Sequence, residues 1–138
     1  METVKHHPVL AVRAIIQNEE KEVLLLKRAS DGAYGDMWCL PGGKVDFGQR
    51  AKEAMIREIR EEASLRCSSC KFLFYRDGLP HNPGENHYLT LYFHCQVEGS
   101  IKLNGESSRY VWAEMEELGN YAIAFGNGEA LRSYWEDH

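Results

Sequence analysis

The chain contains no apolar run near the about 20 residues that a helix needs to cross a bilayer, and it has no surplus of positive charge. Its 16 Lys and Arg stand against 21 Asp and Glu, a formal net charge of −5. That balance disfavours stable nucleic-acid binding or an anionic-membrane surface, and a phosphate-handling site here would need a divalent metal or local Lys and Arg. Proline is scarce, with 4 residues in 138, and no repeat, low-complexity tract or linker breaks the pattern, so one domain over residues 1–138 is expected. Cysteine is sparse too. Cys39, Cys67, Cys70 and Cys95 contain one Cys-x-x-Cys and no second pair at zinc-finger spacing, so small buried or half-exposed thiols are expected rather than a zinc or redox centre. The N-terminal METVKHHPVL lacks the apolar region of a secretory signal, so the expected address is cytoplasmic, with reduced thiols. His6, His7, His81 and His87 have no metal-ligand spacing; a surface role is expected of them.

What is present is punctuated apolar segments. Val9–Ile16 and Glu22–Arg28 are strand-like runs separated by a short polar link, which predicts a hairpin. Residues 29–36 hold Asp31-Gly32 and Gly35-Asp36 and predict a loop. Met37–Leu40 is a brief strand stopped by Pro41-Gly42-Gly43. Lys71–Arg76, Tyr88–Val97 and Arg109–Ala113 are further strands, with a Pro- and Gly-bearing loop over 77–86. Glu114–Leu118 and Glu129–Trp135 predict short helices.

One long helical pattern runs from about Gln49 to Ser64. At ~100° per residue, Met55, Ile56, Ile59 and Ala63 form the stripe expected to face the sheet. Glu58, Glu61 and Glu62 share an arc of about 100° beside it. Like charges at these spacings cost a few tenths of a kcal/mol per pair, roughly, and anions are disfavoured near a helix C-terminus. A solvated acidic face eased by Arg57 and Arg60 is one reading. Convergence on a hard divalent cation, which removes the repulsion, is the other. The glycine turn before Lys44, and Gly48 at the helix entry, favour the second by allowing backbone close to an ion and its phosphates.

This stretch resembles the Nudix hydrolase signature, G-x5-E-x7-R-E-U-x-E-E-x-G-U with U a large aliphatic residue. It runs from Gly43 through Gln49, Arg57, Glu58, Ile59, Glu61, Glu62 and Ser64 to Leu65, preceded by Trp38-Cys-Leu-Pro-Gly42. Two positions depart: Gln49 replaces a Glu and Ser64 a Gly. Gln49 can still accept a hydrogen bond from Arg57 but without charge assistance, and Ser64 predicts a slightly different helix exit, because Ser dislikes the left-handed conformation.

The resemblance implies an α/β fold, an α/β/α sandwich with a mixed β-sheet. It also implies hydrolysis of the pyrophosphate bond in a nucleoside diphosphate derivative, a nucleoside triphosphate or a nucleotide sugar such as ADP-ribose. Mg²⁺ or Mn²⁺ would be held by Glu58, Glu61, Glu62 and the Gly43 carbonyl, with Arg57 orienting a helix carboxylate. The general base is expected to be Glu61 or, from the loop before the last strand, Glu106, with Glu85 as rival. Arg28 and Lys44 are candidate phosphate contacts, and Tyr34, Trp38 and Tyr92 candidate base-stacking rings. The alternative function is a catalytically weakened domain that senses nucleotides or binds proteins, motivated by Gln49 and Ser64. A homodimer through Tyr134-Trp135 is one option; the same rings can cap their own sheet.

Overall fold

The computed structural model describes residues 7–137, so His6 lies outside the described residues. Strands β1 (Val9–Ile15), β2 (Val23–Arg28), β3 (Trp38–Cys39) and β4 (Gly42–Lys44) precede helix α1 (Ala51–Ala63). Strands β5 (Arg66–Gly78), β6 (Tyr88–Glu98) and β7 (Ser107–Ala113), a 3-10 turn at Met115–Asn120 and helix α2 (Asn127–Asp137) follow. A mixed four-stranded sheet has the order β4-β1-β6-β5, and a second, three-stranded sheet the order β3-β2-β7. β1 runs parallel to β6 and antiparallel to β4, whereas every pair in the second sheet is antiparallel.

The apolar runs of β1 and β2 are buried on both sides, and their alternation separates two half-cores. Val12, Ala14, Ile16, Leu24 and Leu26 join Met55 and Ile59 of α1; Ile15, Val23 and Leu25 join Leu131 and Tyr134 of α2. A helix therefore covers each side of the sheets, as the sandwich requires. Tyr134 is buried and Trp135 packs against the same half-core, so the C-terminal rings cap their own sheet.

The expected β1–β2 hairpin is not a ladder. Beyond the Gln17–Val23 bridge and the Leu24 N–H bond to the Ile16 carbonyl at 3.0 Å, the two strands part into different sheets. Both edges of β1 are already taken by β4 and β6, so β2 has no free edge of β1 to pair with. The helix expectation is corrected by rotation. Met55, Ile59 and Ala63 are fully buried, but so is Ala54, while Ile56 is 39% exposed. The buried arc is shifted towards Ala54, which places Glu62, 7% exposed, near its centre instead of beside it.

Ser64 also departs from expectation. It takes the left-handed conformation itself, φ 60° and ψ 26°, and its N–H closes on the Arg60 carbonyl. Its hydroxyl donates to the Lys102 carbonyl at 3.0 Å, and the Lys102 N–H donates to the Ala63 carbonyl at 2.9 Å. These bonds offset the ~1–2 kcal/mol that this conformation costs a residue with a Cβ, so the exit that Gly would make is kept.

Candidate active site

Helix α1 ends against β4, and this junction builds one wall of a cleft of about 1320 Å³. The Gly42 N–H donates to Glu62 Oε1 at 2.8 Å. Burial pushes the Glu62 carboxyl up to about 8, opposed by that hydrogen bond and by the Arg13 guanidinium. Glu58, its side chain 15% exposed, is raised by burial against the pull of Arg57. Its carboxylate lies where a side chain on residue 43 would be: a Cβ on Gly43 would sit 2.7 Å from the Glu58 Cδ. Glycine at 43 is what lets the acid reach the backbone of β4.

Arg57 organises this wall. Its Nη1 donates to Glu58 Oε1 at 2.8 Å and Glu61 Oε1 at 3.1 Å; its Nη2 donates to the Lys44 carbonyl at 3.2 Å and Gln49 Oε1 at 3.3 Å. Gln49 thus accepts from Arg57 as its amide oxygen allows. The charge it lacks is supplied by Asp46, whose carboxylate is 3.6 Å from Nη2, a substitution that the spacing alone did not reveal. Arg57 leaves its buried Nε without a partner.

The sequence-selected acids are not equivalent. Glu58 and Glu62 line the cleft together with Glu106, whose charge raises the pKa of both. Glu61 does not line it: its side chain is 44% exposed and both oxygens face Arg57, at 3.1 and 3.4 Å. Glu58, Glu61 and Glu62 do not all come within 4.8 Å of one another, with Arg57 between the first two. Glu106 stands in the loop before β7, tied to the fold through its backbone, with the Ala29 N–H donating to its carbonyl at 3.0 Å. Among the described residues its carboxylate has no ion pair or hydrogen bond. Glu85 also reaches the cleft, but its carboxylate accepts the His81 and Asn82 N–H groups at 2.8 Å, which holds its pKa down and closes its own loop.

The cleft is also lined by cations and aromatic rings. Arg28 and Lys44 both line the cleft. Arg28 Nε donates to the Ala33 carbonyl at 2.8 Å, and its guanidinium lies 5.2 Å from the Phe125 ring centroid. Arg13 stacks on the same ring at 4.6 Å while its Nη1 donates to the Leu40 carbonyl at 2.7 Å. Sequence reasoning missed Arg13 and Phe125. The signal for Arg13 was available: it is the one charge inside the apolar run Val9–Ile16, and a buried Arg must have a role. Phe125 offered none, because it enters the cleft through a left-handed turn, φ 63°. Of the candidate rings, Tyr34 is exposed in the cleft and packs edge-on to Phe125 at 4.7 Å, Trp38 packs on Tyr121, and Tyr92 is 1% exposed with its OH accepting from Asn127. His81 lines the cleft; His87 does not.

Carboxylates backed by a backbone turn are hard oxygen donors of the kind that Mg²⁺ and Mn²⁺ take. The upward shifts of Glu58 and Glu62 agree with that use, since a cation would relieve the mutual repulsion of these acids.

A profile of the NUDIX domain matches residues 7–134. The chain is 32% identical over 129 residues to an ADP-ribose pyrophosphatase of Methanocaldococcus jannaschii, covering 93% of this chain and 73% of that protein. It is 33% identical over 131 residues to the nucleoside triphosphatase NudI of Escherichia coli, covering 86% and 90% respectively. The crystal structure of a MutT protein from Methanosarcina mazei superposes with a TM-score of 0.80 at 25% identity, over 98% of this chain and 95% of that one.

Proposed function

The chain belongs to the NUDIX hydrolase family, and on that footing we propose that it cleaves the pyrophosphate bridge of a nucleoside diphosphate derivative. A nucleoside triphosphate and a nucleotide sugar such as ADP-ribose are the two substrate types, in keeping with the names of its relatives. The observation that carries this reading is a cleft that gathers acids, cations and aromatic rings. Acids Glu58, Glu62 and Glu106 line it together with Arg28, Lys44, Arg13, Phe125 and Tyr34. Anionic phosphates suit the cations and a nucleobase suits the exposed ring.

Glu58, Glu62 and the Gly43 carbonyl are the residues that would hold Mg²⁺ or Mn²⁺, and Glu61 would have to turn from Arg57 to join them. Such an ion, when bound, offsets phosphate charge and acidifies a coordinated water. Arg57 positions: it fixes the Glu58 and Glu61 oxygens against the β4 backbone and so sets the donor geometry. Arg28 and Lys44 meet phosphate oxygens. Glu106 takes the proton from the attacking water, for its carboxylate is exposed in the cleft and unengaged, whereas Glu61 is occupied by Arg57.

The test is product release from a panel of nucleoside triphosphates and nucleotide sugars with Mg²⁺ or Mn²⁺. Turnover of at least one member is expected, with Glu106→Gln lowering kcat about 100-fold and leaving KM nearly unchanged. No turnover of any member, combined with nucleotide binding that ignores the metal, would instead support the nucleotide-sensing alternative.

A further inference from the structure

The thiols of β5 and β6 are not used by the cleft, and their arrangement is unusual. In a regular strand residues i and i+3 face opposite sides, so Cys67 and Cys70 should point apart. They do not. Cys67 pairs with Val97, Ser69 with Gln96 and Cys70 with Cys95, so the register shifts between Cys67 and Ser69 and Ser68 is the extra residue of a bulge. The bulge turns both thiols of Cys67-Ser-Ser-Cys70 to the face that also carries Cys95. All three Sγ atoms lie within 4.8 Å of one another.

We infer that Cys67, Cys70 and Cys95 form a three-thiolate site for a thiophilic divalent ion of the Zn²⁺ class, separate from the carboxylate cleft. Thiolates at the usual Zn–S length of about 2.3 Å stand about 3.8 Å apart on a tetrahedron, and the Cys95 and Cys70 sulfurs are 3.8 Å apart. Three soft ligands select Zn²⁺ or Cd²⁺ over the Mg²⁺ suited to the carboxylates. Cys95 is buried whereas Cys67 and Cys70 are half-buried, so the site has a closed floor and a solvent side for entry and for a fourth, water ligand. The Cys95 S–H donates to the Cys70 sulfur. Binding would replace that shared proton, releasing the thiol protons to solvent. Cys67 and Cys70 pack on the half-core that contains Ala54, Met55 and Ile59. An ion would therefore clamp β5 and β6 beneath the helix whose other residues carry the acids.

The experiment is titration of the full, reduced chain with Cd²⁺, followed by thiolate-to-metal charge-transfer absorption in the ultraviolet and, with Zn²⁺, by melting temperature. One equivalent per chain is expected to saturate the band, with excess Mg²⁺ leaving it in place. Cys67→Ser and Cys70→Ser should each weaken binding at least tenfold, and Cys39→Ala should leave it unchanged. In the unmodified protein, Zn²⁺ should protect Cys67 and Cys70 from alkylation, read by mass spectrometry, which decides the matter even where a variant fails to fold. The inference is overturned by a band that does not saturate at one equivalent, by binding indifferent to Cys67→Ser and Cys70→Ser, or by alkylation that Zn²⁺ does not slow. Formation of a Cys70–Cys95 disulfide on mild oxidation, with no ion uptake by the reduced chain, overturns it as well.

Discussion

Gly42 and Gly43 are adjacent, yet adding one methyl group to each should have opposite consequences. A Cβ on residue 42 would lie 2.0 Å from the Val12 carbonyl oxygen and 3.0 Å from the Arg13 Cα. Those are backbone atoms of β1, so relief requires β4 to move off its partner, breaking the Arg13–Gly42 register and the Gly42 bond to Glu62. Overpacking of this kind costs about 1–3 kcal/mol or more, and the lost hydrogen bond to a buried acid adds about 1 kcal/mol. Gly42→Ala should thus lower stability by about 3 kcal/mol, a fall in Tm of about 10 °C for a domain of this size. The three atoms nearest a Cβ on residue 43 all belong to Glu58, at 2.7 to 2.8 Å, and these are the mobile tip of a side chain. The carboxylate moves, β4 stays, and the stability change should remain below about 1 kcal/mol. Displacing Glu58, the acid proposed to hold the metal, by about 1 Å should nevertheless cut kcat/KM about 100-fold. Thermal melts together with initial rates at saturating Mg²⁺ separate the two. If Gly43→Ala melts as early as Gly42→Ala, or turns over like the parent, the assigned closeness of Glu58 to the β4 backbone is wrong.

Other consequences are equally measurable. Glu62 is raised to about 8 from an ordinary 4.5, so the folded chain holds a proton that the unfolded chain has lost between those values. That contribution is complete below about pH 4.5 and disappears as pH rises through about 8. Metal-free protein should therefore lose a few kcal/mol over this window, about 2–5; Glu62→Gln, which keeps the Gly42 bond, should flatten the slope. A divalent ion takes the ionised acid, so the Tm gain from Mg²⁺ should be larger at pH 8 than at pH 6, and chelation should reverse it; equal gains would contradict this. Arg57→Ala should lose about 2 kcal/mol with most of the turnover, and Arg57→Lys should recover little, because an ammonium cannot bridge Glu58, Glu61 and the Lys44 carbonyl at once. At the α1 exit, Ser64→Gly should shift stability by less than about 1 kcal/mol, whereas Ser64→Val, branched at Cβ with φ near 60°, should cost more than about 2 kcal/mol in chemical denaturation.

Much of the site was legible because it is local. Gly43, Glu58 and Glu62 lie within one turn-and-helix unit, where spacing along the chain nearly equals position in space. Arg57 as organiser was legible through the resemblance to the family signature. The rotation of α1 was not: Ile56 and Ala54 compete for the core, and the sheet beneath takes the small side chain while leaving the larger one 39% exposed. Asp46 as the charge partner of Arg57 was also hidden, since a loop residue can be placed only once the loop is. Loop and turn residues are set by what they pack against, as Phe125 is by Arg13, Arg28 and Tyr34.

By itself the sequence determined the acidic helix and the glycine turn that meets it, because hydrophobic period and fixed spacing act over neighbours in the chain; the sandwich class came through the family that this signature resembles. Only the tertiary structure decided which acids enter the cleft, that β1 and β2 part into separate sheets, and that a single extra residue at Ser68 gathers three thiols on one face. Those outcomes depend on strand register and on competition for buried space between segments far apart in sequence, and neither quantity is written in any one segment.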